Sequence, residues 1–105
     1  MAVTKKPIKA SALKYVIVRC ERSGCFAGEL ESRTGREVVL RNCRRLWYWD
    51  GAASLSQLAM EGVSKPGNCK FPPETDRHEL LDVIEIMDTT DAARVSIKGV
   101  KEWRS

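Results

Sequence analysis

Three short β-prone runs, separated by two glycine turns, occupy the first half of the chain, and that spacing constrains the fold more than any other feature. "KYVIVRC" is β-branched and compact, which predicts a strand at about 14–21. Ser23-Gly24 ends it as a turn. In "CFAGELES", Phe26, Gly28 and Leu30 alternate with Ala27, Glu29 and Glu31, so the two sets fall on opposite faces of a strand. "RTGR" at 33–36 is a second turn, with Gly35 suited to a positive φ. "EVVLRN" then returns as a third strand. A meander of three antiparallel strands follows from this order.

The second half is helix-prone in two places. Ser54 and Gln57 have the spacing of a capping box, in which each side chain satisfies a backbone N–H at a helix start. Leu55, Leu58 and Ala59 supply an apolar stripe, and Gly62 stands where a C-terminal cap belongs, so a helix is predicted from Ser54 to Glu61. Two turns of helix are unstable alone and must pack on the sheet. "KPGN" at 65–68 predicts a turn, and "FPP" at 71–73 excludes helix. "HELLDVIEIM" is ambiguous: Leu80, Leu81 and Ile84 suit a helix and the run Val83 to Met87 suits a strand, and one strand with a bulge is preferred because β-branched residues cluster and prolines precede it. "TTDAARVSIKG" predicts a last short helix with Thr90 as cap, Asp91 in its first turn, Lys98 in its last and Gly99 beyond. Trp103 is expected to fold back onto the body.

The predicted class is α+β: a small, mostly antiparallel sheet or partial barrel, with a meander of three strands, a short helix, a further strand and a short C-terminal helix. A chain of 105 residues makes one domain at most. Residues 1–12 are polar and basic and lack periodicity, so they are expected to form a flexible arm ahead of a single α+β domain at 13–105. The net charge of +4 favours anionic partners without specifying nucleic acid. No apolar run is long enough to span a membrane, and the N-terminus lacks the pattern of a secretory signal. The expected place is therefore a reducing cytoplasm, with Cys20, Cys25, Cys43 and Cys69 as free thiols.

The chemistry concentrates in "RRLWYWDGAASLSQLA", residues 44–59. If the third strand runs unbroken, Val38, Leu40, Leu46 and Tyr48 share a core-like face, and Arg41, Arg45, Trp47 and Trp49 share the other. The second face suits an anionic ligand with flat rings, because indoles stack on bases and guanidinium groups pair with phosphate. The small residues of "DGAAS" would let a ligand approach the backbone, and the helix start adds N–H groups and partial positive charge. The expected ligand-binding set is Arg41, Arg44, Arg45, Trp47, Trp49, Ser54 and Ser56. Packing under the helix, or contact in a protein interface, would use the same rigid aromatic surface, so both uses stay open at this point. A bulge at Asn42–Cys43 would exchange the faces.

Other chemistry finds less support. Cys20-x4-Cys25 with distant Cys43, Cys69 and His78 lacks the paired spacing of a zinc site, and no metal or cofactor is expected. A Cys69–His78 dyad is conceivable, but no catalytic or phosphate-loop motif surrounds either residue, so no enzyme is expected.

From about Tyr15 to Trp103, the segments "YVIVRCERSG", "FAGELESR", "EVVLRN", "RRLWYW", "GAASLSQLA", "KFP" and "VIEI" carry a resemblance. The chain resembles a family of small uncharacterised cytoplasmic proteins encoded by tailed bacteriophages and prophages. The resemblance implies a phage product acting in the bacterial host cytoplasm, and brings no activity with it. At Cys25 and Cys43 the family accepts other small residues, which argues against a shared thiol or metal role. The expected function is a non-enzymatic counter-defence protein that sequesters a nucleotide-like anionic signalling molecule through the Arg/Trp/helix-start site. A homo-oligomer is expected, since two weak clusters join at a subunit interface. The alternative is an inhibitor or accessory module that binds a host protein through the same aromatic and arginine surface. Nucleic acid is disfavoured, because Glu21, Glu29, Glu31 and Glu37 interrupt any basic face of the sheet. A membrane partner is not expected.

Overall fold

The computed structural model describes residues 13–105, and the expected N-terminal arm at 1–12 lies outside the described residues. β1 (Tyr15–Cys20), β2 (Cys25–Thr34) and β3 (Glu37–Arg45) form the meander, with both neighbouring pairs antiparallel. α1 (Leu55–Glu61) and a 3-10 turn at Pro66–Asn68 follow. β4 (Thr75–Leu80), β5 (Val83–Asp88) and α2 (Asp91–Lys98) complete the order. The strands make one open antiparallel sheet in the order β4-β3-β2-β1-β5, so the class is α+β as the sequence implies.

One element differs. The run "HELLDVIEIM" was expected to be a single bulged strand, and it is the end of one strand followed by another. β4 pairs with β3 and β5 pairs with β1, at opposite edges of the sheet. The break falls at Leu81–Asp82, where the Asp82 carboxylate accepts the Arg22 N–H at 2.9 Å and the Ser23 hydroxyl at 3.3 Å. The Asp82 carbonyl also accepts the Glu21 N–H at 2.9 Å. One aspartate thereby anchors the corner between the edges, and apolar residues on both sides hide that corner in the sequence.

Strand alternation fills both faces of the sheet. Tyr15, Ile17 and Ala27 point toward α1, α2 and the C-terminal tail, where they meet Leu58, Phe71, Ile97 and Val100. Val16, Val18, Phe26, Leu40, Leu80 and Val83 form a second buried cluster on the opposite face. All five strands supply that second cluster and no helix does, so the sheet curls over its own side chains. The linker at Leu81–Asp82 enforces the curl, because it can span no more than about 11 Å between the last residue of β4 and the first of β5.

α1 is capped largely as its sequence implies. The Ser54 hydroxyl accepts the Gln57 N–H at 3.1 Å. The return bond from the Gln57 side chain goes to the N–H of Ala53, one residue before the cap, at 2.8 Å. Gly62 closes the helix at φ 78°, and a Cβ there would lie 2.4 Å from the Ser96 side chain, so α1 and α2 meet at a point only glycine fits. α2 is capped by the Thr90 hydroxyl, which accepts the Ala93 N–H at 3.0 Å, and Lys98 lies in its last turn.

The face exchange in β3 comes from a bulge. Asn42 and Cys43 together oppose Gly28 of β2, and Asn42 takes φ 50°. The bulged chain presses so close to Gly28 that a Cβ would stand 3.1 Å from the Arg41 carbonyl and from the Cys43 backbone. Beyond the bulge Cys43 enters the sheet's own cluster, and Leu46 enters the helix-side cluster.

Candidate functional site: an aromatic corner beyond β3

The bulge decides what the consecutive arginines do. Arg44 is buried on the helix side, 2% exposed. Its guanidinium donates to the carbonyls of Ile97 at 3.0 Å, Phe71 at 3.4 Å and Pro72 at 3.4 Å, and lies 5.5 Å from the centre of the Phe71 ring. A fork of donors suits this work, since one side chain ties the C-terminal end of α2 to the segment before β4. Arg44 was expected to face phosphate, and it is a buried cross-tie instead. Arg45 points the other way, half-buried, with its guanidinium 4.4 Å above the Phe26 ring and donating to the Ser23 carbonyl at 2.7 Å. Arg41 is exposed and engaged with Glu31 at 3.1 Å and the Asp76 carbonyl at 3.2 Å.

The tryptophans also part. β3 ends at Arg45, so strict alternation stops there. Trp49 was expected on the ligand face, and it packs against the helix-side core. Tyr48 was expected in the core, and it is 49% exposed. Trp47, expected on the same face as Trp49, is 58% exposed. Tyr48 is held by a bridge to Lys70, with N–H to carbonyl distances of 3.3 and 2.7 Å. Trp103 does fold back: its N–H donates to the Phe71 carbonyl at 2.9 Å, and its ring stacks on Trp47 with centroids 5.1 Å apart and planes 19° from parallel. Lys70 Nζ lies 5.6 Å from the centres of both indoles and 5.9 Å from that of Tyr48. Being equidistant from two stacked rings, the ammonium sits beside the stack, and the outer indole faces are not capped by it.

The helix start is less available than its sequence implies. Ser54 uses its hydroxyl in the cap, while Ser56 is exposed. The glycine turn before it serves chain packing. Gly51 takes φ 95°, its carbonyl accepts the Ser64 N–H at 3.2 Å, and a Cβ there would lie 2.5 Å from the backbone nitrogens of Ser64 and Lys65. The close approach expected for a ligand is made by another stretch of the chain.

The assembled corner is therefore Trp47, Tyr48, Lys70 and Trp103. Of these only Trp47 was in the expected set. Lys70 and Trp103 are distant in sequence from "RRLWYW", and the bridges that bring them in, Tyr48–Lys70 and Phe71–Glu102, leave no periodic trace. The one available signal was the lone tryptophan in the charged tail "VKEWRS".

The thiols are largely buried, and the histidine lies on the other side of the sheet from Cys69. All four cysteines are free. Burial pushes the Cys43 thiol up to about 12 and raises those of Cys20 and Cys25. Cys69 lies in the helix-side cluster, whereas His78 rests against Phe26 with ring centres 5.2 Å apart, so the two form no dyad. His78 shares a 3.0 Å hydrogen bond with the Thr75 hydroxyl. Burial, and then the nearby Arg45, hold its pKa below the ordinary imidazole value. The Tyr15 hydroxyl is buried without a protein hydrogen-bond partner, and burial holds its proton tightly.

Fold and site together define a small α+β protein whose curled sheet carries an exposed aromatic–lysine corner. Among the described residues no group of His, Cys, Asp or Glu could hold a metal ion, and no helix is long and apolar enough to cross a membrane. Residues 13–97 match the family described as Domain of unknown function (DUF6948), and the chain belongs to that family. Trp103 lies beyond the matched span. No curated protein and no solved structure matches the chain.

Proposed function

We propose that this chain is a non-enzymatic binding protein that captures a nucleotide-like anion at the aromatic corner. In this reading it is phage-encoded and acts in the bacterial host cytoplasm as a counter-defence protein, removing a nucleotide signal by binding it. The observation that carries the reading is the stacked Trp47–Trp103 pair with Lys70 beside it. A nucleobase stacks on an exposed indole face in a way that tolerates many bases, and the ammonium reaches a phosphate beside the ring. Sequestration needs affinity and no turnover. Ser56 is exposed and Arg41, also exposed, is engaged with Glu31 and the Asp76 carbonyl, whereas Arg44 and Trp49 act by supporting the fold.

A second reading draws on the same corner. Three large aromatic side chains, each about half exposed, have the composition of a hot spot for a host protein. Calorimetric titration with cyclic di- and trinucleotides and cyclic ADP-ribose isomers separates the two. Binding at micromolar or lower concentration, lost in Trp47→Ala with the melting temperature unchanged, supports nucleotide capture. No heat with any of them sinks that reading. In that case a stoichiometric partner recovered from host lysate, and lost in the same variant, supports the second.

A further inference from the structure

The two outer edges of the sheet are protected to different degrees. β4 has the sequence TDRHEL, and Arg77 pairs there with Glu79 at 2.7 Å and with Glu31 on β2 at 3.9 Å. With Asp76, Arg77 and Glu79 within four residues, and Asp76 in no ion pair among the described residues, β4 presents a charged edge that opposes the addition of another strand. β5 has the sequence VIEIMD, with neither lysine nor proline. Ile84 is 46% exposed and Ile86 is half-buried. Both β5 carboxylates are neutralised within the chain, Glu85 by Arg19 at 3.1 Å and Asp88 by Lys14 at 3.0 Å. Beside this edge runs an open groove of about 500 Å³, lined by Val83, Ile84, Glu85 and Ile86 and flanked by Arg33 and Arg36.

We infer that β5 pairs antiparallel with β5 of a second copy of this chain, joining two sheets across a twofold axis. The internal neutralisation is what suits the strand to its own copy, since bare like charges placed opposite each other destabilise a strand pair. The register follows from three observations. A twofold antiparallel pair sets one residue opposite its own counterpart. Val83 takes no part, because its N–H donates to the Arg36 carbonyl at 3.1 Å and its carbonyl accepts from Arg36 Nε at 3.3 Å. Glu85 on the axis would set two carboxylates face to face, and Ile84 on the axis would need the occupied Val83. Ile86 on the axis uses the whole stretch from Ile84 to Asp88, with Ile84 opposite Asp88 and Glu85 opposite Met87 of the other copy. The part of the groove lined by Ile84, Glu85 and Ile86 is then covered.

The test is the mass of the full chain in solution, by sedimentation velocity and native mass spectrometry, at micromolar concentrations. The expected result is a dimer. Ile84→Lys places a charge on the exposed edge and should raise the dissociation constant about tenfold or more, with an unchanged circular dichroism spectrum. Arg77→Ala, on the other edge, should leave the dimer intact. Amide exchange of the wild-type chain gives a second readout that needs no variant: exchange at Ile86 and Asp88, whose N–H groups face away from β1, should slow as concentration rises. A monomer throughout overturns the inference, and so does a dimer whose Ile86 and Asp88 amides exchange at a rate independent of concentration.

Discussion

The two faces of this sheet are closed by different means. On one side, separate elements arrive from outside: α1, α2 and the tail cover Tyr15, Ile17 and Ala27. On the other, the sheet covers itself. The difference appears in the polar groups. The helix side encloses a guanidinium, because joining elements that end there bring backbone carbonyls that need donors, and it also encloses the unpartnered Tyr15 hydroxyl. The self-covered side is apolar apart from thiols, and its polar groups, Arg45 and His78, sit at the rim against Phe26. Arg44 and Arg45 are neighbours in the chain, yet one ties elements together and the other lies over an aromatic ring.

The contrast can be broken by substitution. Phe26→Ala removes a fully buried ring from the self-covered side and should cost about 4 kcal/mol, read from urea unfolding. A loss under about 1 kcal/mol would mean that the curl collapses to fill the space. Arg44→Lys keeps the charge and removes the fork, leaving carbonyls on Phe71, Pro72 and Ile97 without their donor, and should cost about 3 kcal/mol. If lysine serves as well, charge rather than geometry holds that side together. Gly62→Ala forces a Cβ against Ser96 at a positive φ and should cost about 2 kcal/mol, felt as a lower melting temperature.

The smallest effect sharpens the rim. The folded chain holds His78 below its unfolded pKa, by burial first and by Arg45 second. As pH falls from the ordinary imidazole value through the folded one, the unfolded state takes up the proton more readily and stability declines. Arg45→Gln removes the second cause and should make that decline shallower in a series of melts between neutral and mildly acid pH. An unchanged profile would separate Arg45 from the histidine.

Much of the fold was legible because it is local. The meander, both helices, their caps and Gly62 follow from residues only a few positions apart. The break at Leu81–Asp82 was not, since apolar residues continue on both sides of Asp82 with no glycine or proline to mark a corner. The corner residues were less legible for a related reason. Alternation sorts side chains only while a strand lasts, and it was carried through a bulge at Asn42 and past the end of β3 at Arg45. Leu46 kept its expected burial, Tyr48 and Trp49 exchanged places, and Trp103 and Lys70 joined through bridges between irregular segments.

The short linker at Leu81–Asp82 also bears on how the chain assembles. β5 must find β1 across most of the sequence, pairing Val83 with Cys20 and Asp88 with Val16. Such distant pairing places folding on the order of milliseconds to seconds rather than microseconds. Once β4 has docked on the finished meander, however, β5 is tethered two residues from its place. The search for the far edge is then as short as a hairpin closure, and the two edges should form in a single kinetic phase.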